Sequence, residues 1–524
     1  MKNLRKFVLS ALLLCGVSFL MKTVGVSFNV YVSNRAGAET MGLYSLLSGV
    51  YGFALTFATS GISLATMRLV AEALGEGDTA RVRKSLRYCL LYSLSFGGAA
   101  TLLLFALAKP IAVHLLDDMR TMTPIRILSL SLLPISLSSV FGGYFTAVRR
   151  VHKNALVQVS EQAIRIFSIS FFLTRLLPHG IEAACIALAA GGVVSDFAAF
   201  FLAFLGFLRD KRNREKREAV PRAHTAGSIP KKLLEIALPV AFSAYARSGL
   251  ISLEHMLIPV GLRKSGSSRE AALAAYGRIQ SMVLPIILFS SALITSFAGI
   301  LIPEVTECRV QNNKRQIQYI SERVVQLSLL FSIGVAGIMI FFAGEFGEVI
   351  YPNQNTAAYI RMLAPLIPIM YIDSGVDAIL KGMGQQVYSM TVNIIDAGLS
   401  VILVWFLVPR LGILGYIVTI YATETVNTVL SVNKLLSISH MKPRLSKCLF
   451  GPLFCIVGAT VLGKLLLSFA GFGKATALSL TLHILLVASL YVLLLILCSV
   501  FDKEDLEWII RIFKPKEQKN SPCD

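Results

Sequence analysis

The feature that most constrains this chain is a series of about fourteen apolar runs, each near the length of one membrane crossing. Lipid offers no hydrogen bonds, so a crossing helix of roughly 20 apolar residues must satisfy its own backbone. The runs lie at about 7–32, 42–72, 86–107, 125–148, 155–177, 181–208, 233–260, 273–302, 320–343, 357–380, 389–408, 412–433, 448–470 and 475–501. The sequence therefore predicts an all-α integral membrane protein with about 14 transmembrane helices.

Composition supports this class of protein. Of the 524 residues, 55% are hydrophobic and 15% are charged, whereas a soluble domain carries roughly 25% charged residues. The net charge of +20 could suggest nucleic acid, but in so apolar a chain basic residues typically mark cytoplasmic loops. The eight cysteines are scattered and lack zinc-site spacing, so we expect free thiols, no metal site and no nucleic-acid partner.

The loop charges predict how the chain is oriented. If the N-terminus, with Lys2, Arg5 and Lys6, is cytoplasmic, about two thirds of the 50 Lys and Arg fall on that side. The prediction is a multi-pass protein with both termini in the cytoplasm. The basic, apolar start also resembles a signal peptide. It lacks a small-residue cleavage site, so we expect a retained first span, with cleavage or lipidation at Cys15 as the alternative.

An internal repeat predicts the domain organisation. At a shift of 232 residues Tyr44 meets Tyr276 and Glu72 meets Glu304, and at about 234 Pro134 meets Pro368. A shift of six spans preserves orientation, which predicts two pseudo-symmetric six-helix lobes with a cavity between them and two C-terminal helices. The predicted boundaries are an N-lobe at 1–208, a basic cytoplasmic linker at 209–232, a C-lobe at 233–434, and the last spans and tail at 435–524.

Two stretches carry a family resemblance. "FGGYFTAVRRVHKNALVQVSEQAIRI" and "GAETMGLYSLLSGVYGFALTFATSGISLATMRLVAEALGEGD" resemble the stage V sporulation protein B group of polysaccharide flippases. That group belongs to the MATE-like superfamily, with drug exporters and the lipid II flippases. The resemblance implies a secondary-type transporter in the bacterial cell membrane, not an enzyme, moving lipid-linked glycans by alternating access. The "AVRRVHKNA" turn departs from the usual pattern, which has a glycine.

Charged residues inside predicted spans are the candidate site residues, because they usually face a bundle interior or a cavity. A polyprenyl-diphosphate cargo needs cations for its phosphates and amides for its sugars. Lys22, Arg165 and Arg247, expected to be buried, are the headgroup candidates, and the sugar candidates are Asn29, Gln158, Gln162 and Asn393. Glu161 lies four residues before Arg165. The two form either a structural ion pair or part of the substrate site.

Carboxylates in other spans suggest that transport is coupled to Na⁺ or protons. We expect no other cofactor and no catalytic residue. Asp373 and Asp377 share one helical face and could bind a cation, although Lys381 could neutralise Asp377 instead. Further coupling candidates are Asp196 and Glu424, and Arg278 and Arg361 are either exit-gate residues or interfacial anchors. Any energy would come from an ion gradient or the membrane potential, because the chain lacks a phosphate-binding loop with the G-x-x-x-x-G-K-[ST] spacing.

Three functions compete at this stage. The first is a flippase for a lipid-linked oligosaccharide such as a peptidoglycan precursor, whose partners would be membrane lipids and cell-wall synthases. The second is a cation-coupled multidrug exporter of the MATE type. The third is a membrane glycosyltransferase, for which "LLDDMR", with Asp117 and Asp118, is the one tempting site. The basic span residues favour the flippase over the exporter.

Overall fold

The structure is a computed structural model that describes residues 2–215, 229–441, 446–469 and 477–501. Every regular element in these ranges is helical. The α-helices are α1 (Lys2–Thr59), α2 (Ile62–Gly75), α3 (Thr79–Pro110), α4 (Met122–Ser129), α5 (Leu132–Ala147), α6 (Val151–Leu176), α7 (Ile181–Glu215), α8 (Ile229–Lys264), α9 (Arg269–Gly277), α10 (Leu284–Phe289), α11 (Ser291–Val310), α12 (Lys314–Phe341), α13 (Ala343–Ile350), α14 (Ala357–Leu363), α15 (Ile367–Gly382), α16 (Gln386–Leu411), α17 (Ile413–Ser439), α18 (Gly451–Phe469) and α19 (Ala477–Leu497). Most of the predicted linker 209–232 and the tail beyond 501 lie outside the described residues.

Thirteen helical stretches in the described ranges are long and apolar enough to cross a membrane. The first of them, Phe19–Gly75, has 57 residues, nearly three times the roughly 20 that one crossing needs. It therefore accommodates two crossings, which agrees with the predicted total of about 14. The chain is a multi-pass, all-helical membrane protein.

The first two predicted spans, at about 7–32 and 42–72, meet at a break in α1. Gly37 has a φ of 81° and a ψ of 166°, outside the helical region, so α1 consists of two helices joined by a kink at this residue. The break lies among the polar residues 33–40, of which Asn34 and Arg35 are exposed. Ser33 and Thr40 are almost fully buried.

The predicted repeat is visible in the helix boundaries. Helices α5 and α15 each have 16 residues, and α6 and α16 each have 26. Each later helix begins and ends about 235 residues after its counterpart. The helix caps repeat as well. Asp78 accepts a hydrogen bond from the Arg81 backbone N at the start of α3, and Asn313 accepts one from Gln316 N at the start of α12.

By its contacts the chain divides into two compact units. One comprises residues 31–281 and 397–419, and its core joins α2, α3, α5, α7 and the start of α8. The other comprises residues 1–30, 282–396 and 420–524, and its core joins α11, α12, α15, α17, α18 and α19. This division follows packing rather than the repeat. The lobe boundaries at 1–208 and 233–434 stay a prediction from the repeat.

Candidate functional site

A group of charged side chains lies where α6 packs along α7, and we call Glu161, Arg165 and Asp196 the α6–α7 triad. Arg165 Nη2 donates to Glu161 Oε1 at 2.8 Å and to Asp196 Oδ1 at 2.9 Å. Arg165 Nε donates to Ser195 Oγ at 3.1 Å. The ion pair that the i, i+4 spacing suggested is therefore present, with a second carboxylate on the neighbouring helix that spacing could not reveal.

Close helix packing brings the triad together. A Cβ at Gly191 on α7 would lie 2.7 Å from the backbone nitrogen of Ile169 on α6, so only glycine allows this approach. Asp196 follows Gly191 by a little more than one turn, and Arg165 precedes Ile169 by about one turn. The crossing point thus places the carboxylate of α7 opposite the guanidinium of α6.

The triad is not a free cationic site. With both carboxylates ionised, its formal charge is negative, and Asp196 is the most enclosed member with a side-chain exposure of 8%. Two tyrosines that the sequence reading missed, Tyr44 and Tyr51, lie close enough to interact electrostatically with Arg165 and Asp196. An anion approaching Arg165 must compete with two carboxylates that already bind it.

Lys22 and Arg247 differ from Arg165 because neither is paired with a carboxylate in the part of the chain that the structure describes. Lys22 is half-buried, and its Nζ donates to Ser291 Oγ at 3.3 Å. Arg247 is exposed, so the expectation that it is buried is wrong. Neither has a carboxylate within ion-pairing distance among the side chains that the structure describes. Both remain available to an anionic ligand.

The exposure of Arg247 follows from which face of α8 is packed. Ser252 donates to the Gly49 carbonyl at 2.8 Å, and Ser248 accepts a hydrogen bond from Thr56 at 3.0 Å. These contacts fix the serine face of α8 against α1. Arg247, about 100° from Ser248 around the helix, lies outside that contact.

The four amide candidates are dispersed. Gln158 is exposed, whereas Asn29, Gln162 and Asn393 are half-buried. Asn393 donates to the Ser389 carbonyl at 2.7 Å, one turn earlier on α16. Gln158 and Gln162 lie on α6, the helix that also carries Glu161 and Arg165 of the triad. Their role in sugar binding stays a prediction.

The carboxylates of α15 have different surroundings. Asp377 forms an ion pair with Lys381 at 2.5 Å, so the neutralising partner considered from the sequence is present. Asp373 accepts a hydrogen bond from Asn427 on α17 at 3.4 Å and has no cationic partner in the described chain. The charges of Asp377, Asp396 and Lys381 all lie close enough to act on it, although Lys381 forms its ion pair with Asp377.

The remaining coupling candidates are one buried and one half-buried carboxylate. Asp196 belongs to the triad, and Glu424 is half-buried on α17. In the described ranges no group of three or more His, Cys, Asp or Glu side chains is arranged to hold a metal ion. Ion coupling stays a prediction.

The two exit-gate candidates also differ. Arg361 on α14 is exposed. Arg278, at the end of α9, is half-buried, and its Nε is enclosed without an acceptor among the described residues. The exposure of Arg361 fits an interfacial anchor as well as a gate, so the alternatives stay open.

The aspartates of "LLDDMR" are held in ion pairs with arginines. Asp118 caps the turn at Met119–Thr121, binds Arg120 at 2.8 Å and lies 3.3 Å from Arg269. Asp117 lies 2.6 Å from Arg263, whose hydrogen bond lowers the pKa of the Asp117 carboxyl. Burial disfavours the charged form of Asp118, but its hydrogen bonds from Arg120 outweigh burial and lower the pKa. Neither carboxyl is suited to act as a general acid.

Comparison with known proteins shows which proteins this chain is similar to in sequence. Residues 4–248 match the family described as polysaccharide biosynthesis protein. The chain is 26% identical to stage V sporulation protein B of Bacillus subtilis over 96% of this chain and 97% of that protein. It is 22% identical to the lipid II flippase MurJ of the same organism, over 74% of each chain.

Solved structures share the fold. The inward closed conformation of MurJ superposes with a TM-score of 0.69, covering 92% of this chain and 98% of that chain at 13% identity. An inward-facing MATE multidrug transporter superposes with a TM-score of 0.63, covering 80% of this chain and 96% of that chain at 14% identity. These matches agree with the resemblance read from the sequence: the chain is similar to stage V sporulation protein B over nearly its whole length, and it shares the fold of MurJ and the MATE transporters.

Proposed function

We propose that this protein is a flippase that moves a polyprenyl-diphosphate-linked glycan, such as lipid II or a related precursor, across the bacterial cytoplasmic membrane. The similarity to stage V sporulation protein B and to the lipid II flippase MurJ, and the fold shared with MurJ, support this proposal. Transport would proceed by alternating access, with both termini in the cytoplasm. Cell-wall synthases that use the exported precursor would be its partners.

The observation that carries the proposal is that two basic residues of the spans lack carboxylate partners among the described residues. Lys22 and Arg247 lie inside membrane-spanning helices, yet neither is paired with a carboxylate in the described part of the chain. An unpaired cation in a span is costly. That cost is offset when a diphosphate supplies charge-assisted hydrogen bonds. Such a pattern suits an anionic cargo better than a cationic drug.

The triad then has a supporting role. Because Arg165 already binds Glu161 and Asp196, Lys22 and Arg247 are each better candidates than Arg165 for a contact with the diphosphate. Arg165 would accept the headgroup only after a carboxylate is protonated or moves away. The amides of Gln158 and Gln162, on the helix that carries Arg165, would hydrogen-bond to sugar hydroxyls.

Driving force would come from the membrane. Moving one charge through 100 mV releases about 2.3 kcal/mol, enough to bias a transport cycle in one direction. Asp373, which has no cationic partner among the described residues, is the first candidate for binding a coupled Na⁺ or proton. The protein would therefore be a secondary-type transporter.

The test of the cation assignment is lipid II translocation by reconstituted variants. Lys22→Gln and Arg247→Gln should each slow translocation about ten- to a hundredfold, since a hydrogen bond to a charged group contributes roughly 1.5–3 kcal/mol. Lys22→Arg and Arg247→Lys should retain most activity. Lys109→Gln is the matched control, because Lys109 is exposed on α3 and has no partner in the described ranges.

A drug exporter is the second candidate, and Asp373 is the observation that favours it. A carboxylate in a span without a cationic partner can bind a cationic drug or its coupling ion. Ethidium efflux driven by an imposed Na⁺ or proton gradient would support this function. Loss of that efflux in Asp373→Asn, with no lipid II translocation by the intact protein, would replace the flippase proposal.

A further inference from the structure

A groove opens on the unit formed by residues 31–281 and 397–419, between α3, α5 and α7. Its volume is about 570 Å³, within the roughly 300–1,000 Å³ of sites that bind small molecules. The walls are almost wholly leucine and phenylalanine, including Leu90, Leu94, Phe141 and Phe204. Leu94 is 53% exposed, so the apolar wall continues to the outer face of α3.

One end of the groove is basic. Arg83 and Arg87 line it, one turn apart on the first turns of α3, and both are exposed. Neither forms an ion pair within the described chain. Arg81, two residues before Arg83, is paired with Glu76 and lies 3.9 Å from Glu72. The available carboxylates are thus bound to the arginine outside the groove, which leaves the two arginines of the groove free.

Arg83, Arg87, Leu90 and Leu94 follow one another along a single face of α3. The spacing places two cationic forks above a strip of apolar side chains. A phosphate diester can accept hydrogen bonds from both guanidinium groups. A hydrocarbon chain attached to it would then lie along the leucine and phenylalanine walls, out of water.

From this arrangement we propose that the groove binds an anionic glycerophospholipid of the surrounding membrane. The lipid phosphate contacts Arg83 and Arg87, and one acyl chain occupies the apolar groove. Charge complementarity supports an anionic rather than a zwitterionic lipid, because the cationic group of a zwitterionic lipid offsets the phosphate charge that attracts the two arginines. The apolar walls support a lipid rather than a free phosphate.

Native mass spectrometry of the purified full chain in detergent tests this proposal. The probes are phosphatidylglycerol, phosphatidylcholine with the same acyl chains, and glycerol 3-phosphate. The intact protein should retain one phosphatidylglycerol at least tenfold more tightly than phosphatidylcholine. Glycerol 3-phosphate should bind far more weakly than either, because it has no chain to place in the groove.

Two kinds of variant separate the headgroup from the chain. Arg83→Gln with Arg87→Gln should lower phosphatidylglycerol affinity to that of phosphatidylcholine. Leu94→Trp should weaken both lipids several-fold by filling the groove. The matched control is Arg68→Gln with Lys84→Gln, which removes the same charge from two exposed residues outside the groove.

Each result bears on the proposal. Equal loss of phosphatidylglycerol in the control double variant would overturn it, because attraction would then depend on net charge alone. Equal affinity of the intact protein for the two phospholipids would overturn the anionic assignment. Unchanged lipid binding in Leu94→Trp would exclude the groove as the place of the acyl chain. Elution of each variant as the intact protein does on size exclusion verifies folding.

Discussion

Replacing Arg165 with methionine should destabilise the protein far more than replacing either of its carboxylate partners. The substitution keeps an unbranched side chain of similar length but removes the charge that holds the α6–α7 triad together. Glu161 and Asp196 are then left facing each other without a cation. Either both charges stay unpaired in a low-dielectric environment or one carboxyl takes up a proton, and both outcomes cost stability.

The exposures of the three side chains set the magnitude. Removing one partner of a fully buried pair costs about 3–5 kcal/mol. The Arg165 side chain is 36% exposed and that of Asp196 is 8% exposed, so we expect about 2–4 kcal/mol for Arg165→Met. Glu161→Gln leaves the pair with Asp196 intact and removes a 29% exposed partner. Its cost should stay below about 1 kcal/mol.

Pulse proteolysis in mixed micelles measures the free energy of unfolding of each variant. A double variant, Arg165→Met with Asp196→Asn, removes the most enclosed charge together with its partner and should recover at least half of the loss. Lys109→Met is the control for losing a cation with no partner in the described chain. It should change the free energy by less than about 0.5 kcal/mol.

Two results would refute this reasoning. The first is a cost of Arg165→Met no larger than that of Glu161→Gln, which would mean that water already screens the whole triad. Alternatively, the double variant could lose the sum of the two single losses. The residues would then act independently, and the hydrogen bonds from Arg165 would carry no coupling energy.

Three further predictions concern other parts of the chain. Asp118→Asn should lower the free energy of unfolding by about 1–3 kcal/mol. Because the pKa of Asp118 is lowered in the folded state, the stability that its carboxylate contributes should be present above about pH 4 and be lost as the pH falls through the lowered pKa, which unfolding measured across pH would show. Gly42→Ala should cost about 1–3 kcal/mol because its Cβ would lie 1.9 Å from a backbone oxygen, whereas Gly52→Ala, with open space, should be neutral or stabilising in the same assay. Asp373→Asn should abolish the dependence of transport on an imposed ion gradient, and Asp377→Asn, which removes a partner already paired with lysine, should leave that dependence intact in proteoliposome flux.

Sequence reasoning recovered those features that depend on local spacing. Apolar runs of about one crossing predicted the helices, because lipid allows few other structures. The i, i+4 relation predicted the contact between Glu161 and Arg165, and it also suggested Lys381 as a partner for Asp377. The repeat was readable because residues such as Tyr44 and Tyr276 recur at a nearly constant shift, and the equal lengths of α5 and α15 agree with it.

Features that depend on packing between helices could not be read. Asp196 lies 31 residues from Arg165, and only the close approach of α6 and α7 joins them. Arg247 was expected to be buried because its neighbours are apolar, but hydropathy does not tell which face of α8 meets α1. Arg269, which lies 3.3 Å from Asp118, is even more distant from it in sequence. A charged residue in a span can be recognised from the sequence, but its role depends on which side chains from other helices pair with it.

The flippase function is tested by measuring how fast labelled lipid II crosses the bilayer of proteoliposomes that contain the intact protein. Ethidium flux is recorded in parallel vesicles. If the protein is a flippase, lipid II reaches the opposite leaflet much faster than in protein-free vesicles, and ethidium does not move. The contrary result is gradient-driven ethidium flux with lipid II movement no faster than in protein-free vesicles. That result would assign the unpaired cations of the spans to another role and identify the protein as a cation exporter.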